Sequence, residues 1–116
     1  MKKIAIVLIV LSIGACSSEN EEELFGDKDS AGEPLPAVVS LSTDIVPIMD
    51  AKCAIPGCHV AGNTFPNLSV KSVIISQADR VKVRTRVGGG MPRTGSITNF
   101  QRDLIAKWVD DGAQDN

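Results

Sequence analysis

Two cysteines and the single histidine of this chain lie within seven residues, in the segment Cys-Ala-Ile-Pro-Gly-Cys-His at positions 53–59. Thiolates are nucleophiles and metal ligands, and imidazole is a common ligand of transition metals. A cysteine followed directly by histidine, with another cysteine shortly upstream, is the pattern that attaches haem covalently. The two thiols form thioethers with the porphyrin vinyl groups, and the imidazole binds the iron. Cys53, Cys58 and His59 are therefore candidate haem-binding residues.

The spacing of these residues departs from the usual C-x-x-C-H pattern. Four residues, instead of two, separate Cys53 from Cys58. Because Cys58 and His59 remain adjacent, the thioether at Cys58 and the iron bond keep their relative geometry, and only the attachment at Cys53 needs a bulged loop. Pro56-Gly57 is a typical turn sequence that accommodates the extra residues. Attachment through a single cysteine stays open as an alternative.

The first segment predicts export rather than a folded element. Lys2 and Lys3 precede an apolar run, residues 4–13, that is too short to span a bilayer as a stable helix. This is the pattern of a signal peptide. Residues 13–16, Ile-Gly-Ala-Cys, also resemble a bacterial lipobox, which implies that Cys16 is lipidated and becomes the first residue of the mature chain. The alternative is cleavage near Ala15 that leaves a free cysteine.

These observations divide the chain into three parts: a lipoprotein signal peptide (1–15), a lipidated acidic tether (16–36) and one small domain (37–116). The tether is rich in acid, glycine and proline and poor in apolar residues, which is typical of disorder. The domain has nine Lys or Arg and seven Asp or Glu, so its net charge is about +2. We expect no binding to nucleic acid, because no basic stripe with interleaved aromatic residues is present.

The domain is predicted to contain only helices. The first begins at Ser42 or Thr43, with Pro47 in its first turn, where the missing N–H costs little. Residues 69–87 are predicted to form a helix that breaks near Ser76 and ends at the three glycines that follow. The apolar stripe of this helix is expected to comprise Val70, Val73, Ile74, Ala78, Val81 and Val87.

The last helix is the clearest of the predicted elements. Thr98 is placed to cap it, and Gln101 is placed to complete a capping box. Gly112 is expected to end it. Its apolar face consists of Phe100, Leu104, Ile105, Trp108 and Val109.

A haem iron held by one histidine needs a ligand on its other face, and a methionine thioether is a common choice. Met49 lies on the apolar face of the first helix and is predicted to fill the core. Met91 instead follows three glycines and precedes Pro92, in a loop suited to placing one sulfur atom. Candidate partners for the haem propionates are Arg84, Arg86 and Arg93.

Residues 42–112 resemble a small monohaem c-type cytochrome domain. The resemblance is carried by the Cys58-His59 pair, the step from Asn67 to Ser69 after it, the Gly-rich run into Met91-Pro92 and the last helix. It implies an all-α, cytochrome c-like fold wrapped around one haem c. It also implies thioethers at Cys53 and Cys58, with His59 and Met91 as the proximal and distal axial ligands of the iron.

The resulting hypothesis is an electron carrier rather than an enzyme, held by lipid on Cys16 to a membrane of the bacterial cell envelope, facing the periplasm or the cell surface. Its partners are then other redox proteins. The alternative is a structural or binding lipoprotein with a Cys53–Cys58 disulfide. A zinc site is disfavoured because Cys53, Cys58 and His59 supply only three of the usual four ligands.

Overall fold

The structure, a computed structural model, describes residues 33–116. The predicted signal peptide, Cys16 and nearly all of the predicted tether lie outside the described residues. Within residues 33–116 the regular backbone is helical and contains no strand, which confirms the all-α prediction at this level. A π-helical turn (Leu41–Ile45) is followed by four helices: α1 (Val46–Lys52), α2 (Lys71–Ser76), α3 (Ala78–Thr85) and α4 (Asn99–Asp110).

The first helical segment begins earlier than predicted. Ser40, not Ser42 or Thr43, is the cap, because its backbone is extended and its side-chain oxygen accepts the Thr43 N–H at 3.3 Å. Asp44 Oδ2 reaches back to the Ser40 N–H at 2.7 Å, which fixes the cap from the other side. Three residues with capping side chains, two serines and a threonine, lie close together here, so the sequence alone did not distinguish them. Pro47 lies in the first turn of α1, as predicted.

The middle region folds as two short helices that meet at Gln77, one residue beyond the predicted break. Ile74, Ala78 and Val81 form the buried stripe. Val87 was predicted to belong to it, but that prediction is wrong: α3 ends at Thr85, the next residue is extended, and Val87 is 80 % exposed. Val70, also assigned to the stripe, precedes α2 and is 41 % exposed.

Helix α4 confirms the capping box. Thr98 Oγ1 accepts the Gln101 N–H at 3.1 Å, and Gln101 Oε1 accepts the Thr98 N–H at 3.0 Å. The helix packs against α3 and against the π-helical turn. Its buried face is Leu104, Ile105 and Trp108, with Phe100 and Val109 partly buried at its edges.

The domain is closed by Asn116, which contacts the segment where the first helix begins. Its side-chain oxygen accepts the Leu41 N–H at 2.8 Å, and its backbone oxygen accepts the Ser42 N–H at 2.9 Å. The hydrophobic core lies between the π-helical turn, α3 and α4. Two long loops, residues 53–70 and 86–98, connect the helices and supply most of the candidate site residues. None of the helices in residues 33–116 has the length and apolar character needed to cross a membrane.

Candidate functional site

The structure brings the four predicted site residues of the domain to one cavity of about 450 Å³. Cys53, Cys58 and His59 line it from the first loop, and Met91 lines it from the second. His59 and Met91 are 32 positions apart in the sequence, so the fold rather than local spacing unites them. The volume lies within the range of roughly 300–1,000 Å³ that is usual for ligand sites.

The long spacing between the cysteines is accommodated by a compact turn. The Cys58 N–H donates to the Ile55 carbonyl at 2.9 Å, which places Pro56 and Gly57 at the two central positions. Gly57 has a φ of +83°, as the third residue of a type II turn requires. The His59 N–H then donates to the Cys53 carbonyl at 3.0 Å. The two extra residues therefore form a turn, and Cys58-His59 returns to the end of α1.

Both cysteines are free thiols with different surroundings. Cys53 follows the last residue of α1 and is 7 % exposed, whereas Cys58 is half-buried. Burial raises the pKa of the Cys53 thiol from 9.0 to about 11, and the neighbouring Cys58 thiol adds to the rise. Cys53 therefore remains protonated at neutral pH.

The imidazole of His59 is oriented by a residue that the sequence analysis did not identify. His59 Nδ1 lies 3.0 Å from the carbonyl oxygen of Pro66. Because that oxygen only accepts, Nδ1 carries a proton, and the lone pair of the neutral imidazole is therefore on Nε2. The Leu68 N–H donates to the His59 carbonyl at 2.8 Å and ties the backbone of the two segments together. Nε2 is thus the ring nitrogen that the Pro66 contact leaves available at the cavity.

The loop that carries Met91 is bound to the end of α3. The Met91 N–H donates to the Arg84 carbonyl at 3.0 Å. A Cβ atom at Gly89 would overlap the carbonyl oxygens of Val83 and Arg84, so only glycine permits this close approach. Met49, in contrast, is fully buried and does not line the cavity, as its predicted core role requires.

The cavity has four positively charged neighbours. Arg84 and Arg93 line it, as the sequence analysis proposed, but Arg86 does not. Lys52 and Arg80 also line it and were missed. Arg80 lies four residues before Arg84 on α3, so helical spacing was the available signal.

No group of three or more His, Cys, Asp or Glu side chains within residues 33–116 is arranged to hold a metal ion. A metal at this cavity would therefore depend on other ligands, such as a thioether or the donor atoms of a bound group. No protein-family model, curated protein or solved structure matches the chain.

Proposed function

We propose that the cavity holds a covalently attached haem c and that the protein is an electron carrier with a cytochrome c-like fold. One observation carries this proposal: two thiols, an imidazole and a thioether, contributed by two distant loops, line a single cavity of ligand size. These are the groups needed to attach a haem at two points and to ligate its iron on both faces.

The residues at the cavity fit such a group. Cys53 and Cys58 are both free thiols, as thioether formation requires. His59 would bind the iron through Nε2, since Nδ1 is engaged by the Pro66 carbonyl. This second contact orients the ring and increases its basicity as a ligand. When bound, the haem would supply an iron centre that accepts and releases one electron.

Met91 would be the distal ligand of the proposed site. Its thioether would raise the reduction potential and occupy the sixth iron position. The hydrogen bond to the Arg84 carbonyl holds its backbone at the cavity. This backbone contact with the end of α3 would keep Met91 beside the cavity in both oxidation states.

The polar residues around the cavity favour a carrier over a haem enzyme. His59 is the only imidazole in the chain, and no Asp or Glu is among the residues that line the cavity in the described part of the chain. A haem enzyme requires an open coordination position and a nearby acid–base group. The lining offers arginine, lysine and threonine instead, and these are poor proton-transfer groups at neutral pH.

The competing hypothesis is a structural or binding lipoprotein with a Cys53–Cys58 disulfide. The position of both thiols at the same cavity supports it. This hypothesis gives no role to the cavity, to His59 or to Met91. In either case Cys16 would anchor the protein to the cell envelope, and the partners of a carrier would be redox proteins rather than nucleic acid.

The deciding experiment is co-expression with haem-maturation factors, followed by a pyridine haemochrome spectrum and an intact-mass measurement. We expect one haem that survives extraction with acidified acetone. Recovery of an apoprotein with a Cys53–Cys58 disulfide under these conditions would refute the proposal. The same mass spectrum reports acylation at Cys16, and Cys16→Ser is expected to give unprocessed or mislocalised protein.

A further inference from the structure

The charges of the domain are distributed unevenly around the cavity. Four of the nine cationic residues in 37–116 line it, and none of the seven acidic ones does. We call these four the cationic rim: Lys52, Arg80, Arg84 and Arg93. The three arginines are exposed, and Lys52 is half-buried. The positive charge is therefore concentrated at the cavity and accessible from outside.

The cationic rim makes no ion pair within residues 33–116. The ion pairs of this part of the chain join Lys82 to Asp110 and Lys107 to Asp111, and none of these residues lines the cavity. The two propionates of a haem would neutralise at most two of the four cations. A positive face therefore remains at the cavity with or without a haem.

Two members of the cationic rim lie on one face of α3. Arg80 and Arg84 are one helical turn apart, a spacing at which like charges repel each other and lower the stability of a helix. An anionic group placed opposite this face would remove the repulsion. The arrangement is consequently better suited to a complex with an anionic partner than to the isolated domain.

An exposed aromatic ring accompanies these cations. Phe65 lines the same cavity and is 77 % exposed. The next residue, Pro66, is buried, and its carbonyl oxygen contacts His59, so the backbone beside Phe65 is held at the site. Aromatic side chains and arginines are both enriched in protein–protein interfaces. A small anion would use the cations alone, whereas a protein surface would also contact the ring.

We propose that the cationic rim and Phe65 together form the docking surface for an acidic protein. Carboxylates of the partner would pair with the cations, and an apolar side chain of the partner would contact Phe65. Electrostatic attraction of this kind increases the association rate at low ionic strength. The charges and the ring line the cavity whatever it holds, so the surface itself does not depend on a haem.

The nature of the partner rests on the proposed function. A docked redox protein would lie at the mouth of the cavity, where one electron would pass between the iron and the redox centre of the partner. An anionic membrane on the same surface would cover this mouth and keep redox proteins away from it. An acidic protein is therefore the partner that fits both the charge of the surface and the proposed electron transfer.

The probe for this surface is a fluorescent helical peptide in which glutamates surround one leucine. A peptide with glutamine in place of glutamate is its matched control. The full lipidated chain is used in uncharged detergent, with and without haem, and binding is measured by fluorescence anisotropy. We expect the glutamate peptide to bind in about 10 mM salt and to dissociate in about 500 mM salt, where the screening length is only a few ångströms. The glutamine peptide should not bind.

Two double variants test the position of the charges. Arg80→Gln with Arg93→Gln removes two cations from the cationic rim and should weaken peptide binding about tenfold. Lys71→Gln with Arg86→Gln changes the net charge equally, at exposed positions that do not line the cavity. This control should change the dissociation constant less than about twofold, because exposed charges at a distance are largely screened.

A further pair of variants tests the aromatic contact. Phe65→Ser should weaken binding of the glutamate peptide about fivefold, because it removes the apolar contact with the leucine. Val87→Ser is the matched control, since Val87 is 80 % exposed but does not line the cavity. The difference between the two variants should disappear for a glutamate peptide whose leucine is replaced by serine.

Electron transfer provides a second readout in the haem-loaded protein. Hexacyanoferrate(III), a trianion, and tris(phenanthroline)cobalt(III), a trication, each accept one electron from the ferrous iron. The ratio of the two rates removes the effect of a changed potential and reports the charge at the site of electron exit. We expect this ratio to fall severalfold in the variant with Arg80→Gln and Arg93→Gln, and to stay constant in the variant with Lys71→Gln and Arg86→Gln.

The two readouts separate the docking surface from the proposed function. A chain that binds the peptide at the cationic rim but never holds a haem would contradict the electron carrier and retain the surface. A haem-loaded chain that does not bind the peptide would overturn the docking surface alone. Equal weakening by the two double variants, or an unchanged affinity in Phe65→Ser, would also overturn it, because general attraction of anions would then explain the binding.

Other occupants of the surface would give different results. Phenylglyoxal, an uncharged reagent for arginine, reports the accessibility of each guanidinium. Protection of Arg80 and Arg93, but not Arg86, in vesicles that contain phosphatidylglycerol and not in neutral vesicles would assign the surface to an anionic membrane. A salt-sensitive dimer that excludes the peptide would assign it to a second copy of the chain. Either result would overturn the proposal.

Discussion

The Nδ1 atom of His59 lies 3.0 Å from the carbonyl oxygen of Pro66, and this contact fixes which nitrogen of the imidazole remains available. Since the carbonyl oxygen cannot donate, Nε2 of the neutral ring is the nitrogen that the contact leaves available. The contact joins two residues of the loop 53–70 that are seven positions apart in the sequence. The backbone conformation of this loop therefore determines which imidazole nitrogen is available at the cavity.

Replacement of His59 tests whether this imidazole binds iron. In protein matured with haem, His59→Ala should keep the group attached through the cysteines but lose the nitrogen ligand, with a changed visible spectrum. Added imidazole should restore most of the original spectrum, because it can occupy the space of the deleted ring. Gln77→Ala also changes a residue that lines the cavity and serves as the control. An unchanged spectrum in His59→Ala would exclude the assignment.

Met91→Ala tests whether Met91 is the second axial ligand. Met91 is the one methionine that lines the cavity within the described residues, whereas Met49 is fully buried in the core. The variant should lose the near-infrared sulfur-to-iron band, bind carbon monoxide, and show a potential lower by on the order of 0.1 V, well within the ~0.8 V range set by axial ligands. Met49→Leu should retain the band, since it conserves core volume. Loss of the band in Met49→Leu alone would reverse the assignment.

Gly89→Ala should disturb the same ligand indirectly. The new Cβ would overlap the carbonyl oxygens of Val83 and Arg84, and the Arg84 carbonyl accepts the hydrogen bond from Met91. We expect partial loss of the sulfur-to-iron band. Gly95→Ala is the control in the same loop: it introduces a positive-φ penalty of about 1 kcal/mol, but its Cβ meets no atom. Equal spectral effects of the two changes would contradict this role of Gly89.

The raised pKa of Cys53 predicts a pH dependence of stability in the haem-free chain. Because the pKa rises from 9.0 to about 11 on folding, the unfolded state loses the thiol proton first as the pH increases. The stabilising contribution is therefore complete below pH 9 and is lost between pH 9 and about 11. Its size should be on the order of 2–3 kcal/mol, since each pKa unit corresponds to about 1.4 kcal/mol.

Urea unfolding followed by the fluorescence of Trp108, the single tryptophan, provides the measurement. The difference in unfolding free energy between wild type and Cys53→Ala should decrease as the pH rises through this window. A difference that is independent of pH would show that Cys53 titrates normally in the folded chain.

The cap of α4 gives a prediction that involves neither haem nor thiol. Thr98→Ala removes the oxygen that accepts the Gln101 N–H and should lower the free energy of unfolding by about 1 kcal/mol. Thr43→Ala, at an exposed position whose hydroxyl caps no helix, should remain within about 0.5 kcal/mol of wild type. Equal unfolding midpoints for the two variants would show that the capping box contributes nothing.

Sequence patterns predicted the elements that depend on short-range chemistry. The capping box at Thr98 and the break near Ser76 follow from neighbouring residues, and both are present within about one residue. The turn at Pro56-Gly57 was also predicted correctly, because proline and glycine restrict the backbone locally. The association of Met91 with Cys58 was inferred from chemistry, and the fold places both at one cavity.

Other features depend on tertiary contacts and were missed for that reason. Ser40 is selected as a cap partly by its contacts with Asp44 and Asn116, and the latter lies 76 residues away. The contact of Pro66 with His59 uses a backbone carbonyl, which every residue has, so the residue type gave no signal. Val87 was assigned to the core by periodicity, but the helix ends before it.

The contacts of Asn116 with Leu41 and Ser42 bring residue 116 next to the start of the first helical segment. A short linker from residue 116 back to residue 39 would therefore complete a circle, and a new opening at the exposed Gly62 would give a circular permutant with the same core. In such a permutant, a lipid anchor added at the new start would precede the second half of the loop of residues 53–70 instead of the first helix. The orientation of the cavity relative to a membrane that holds the anchor could thus be changed while the fold stays the same.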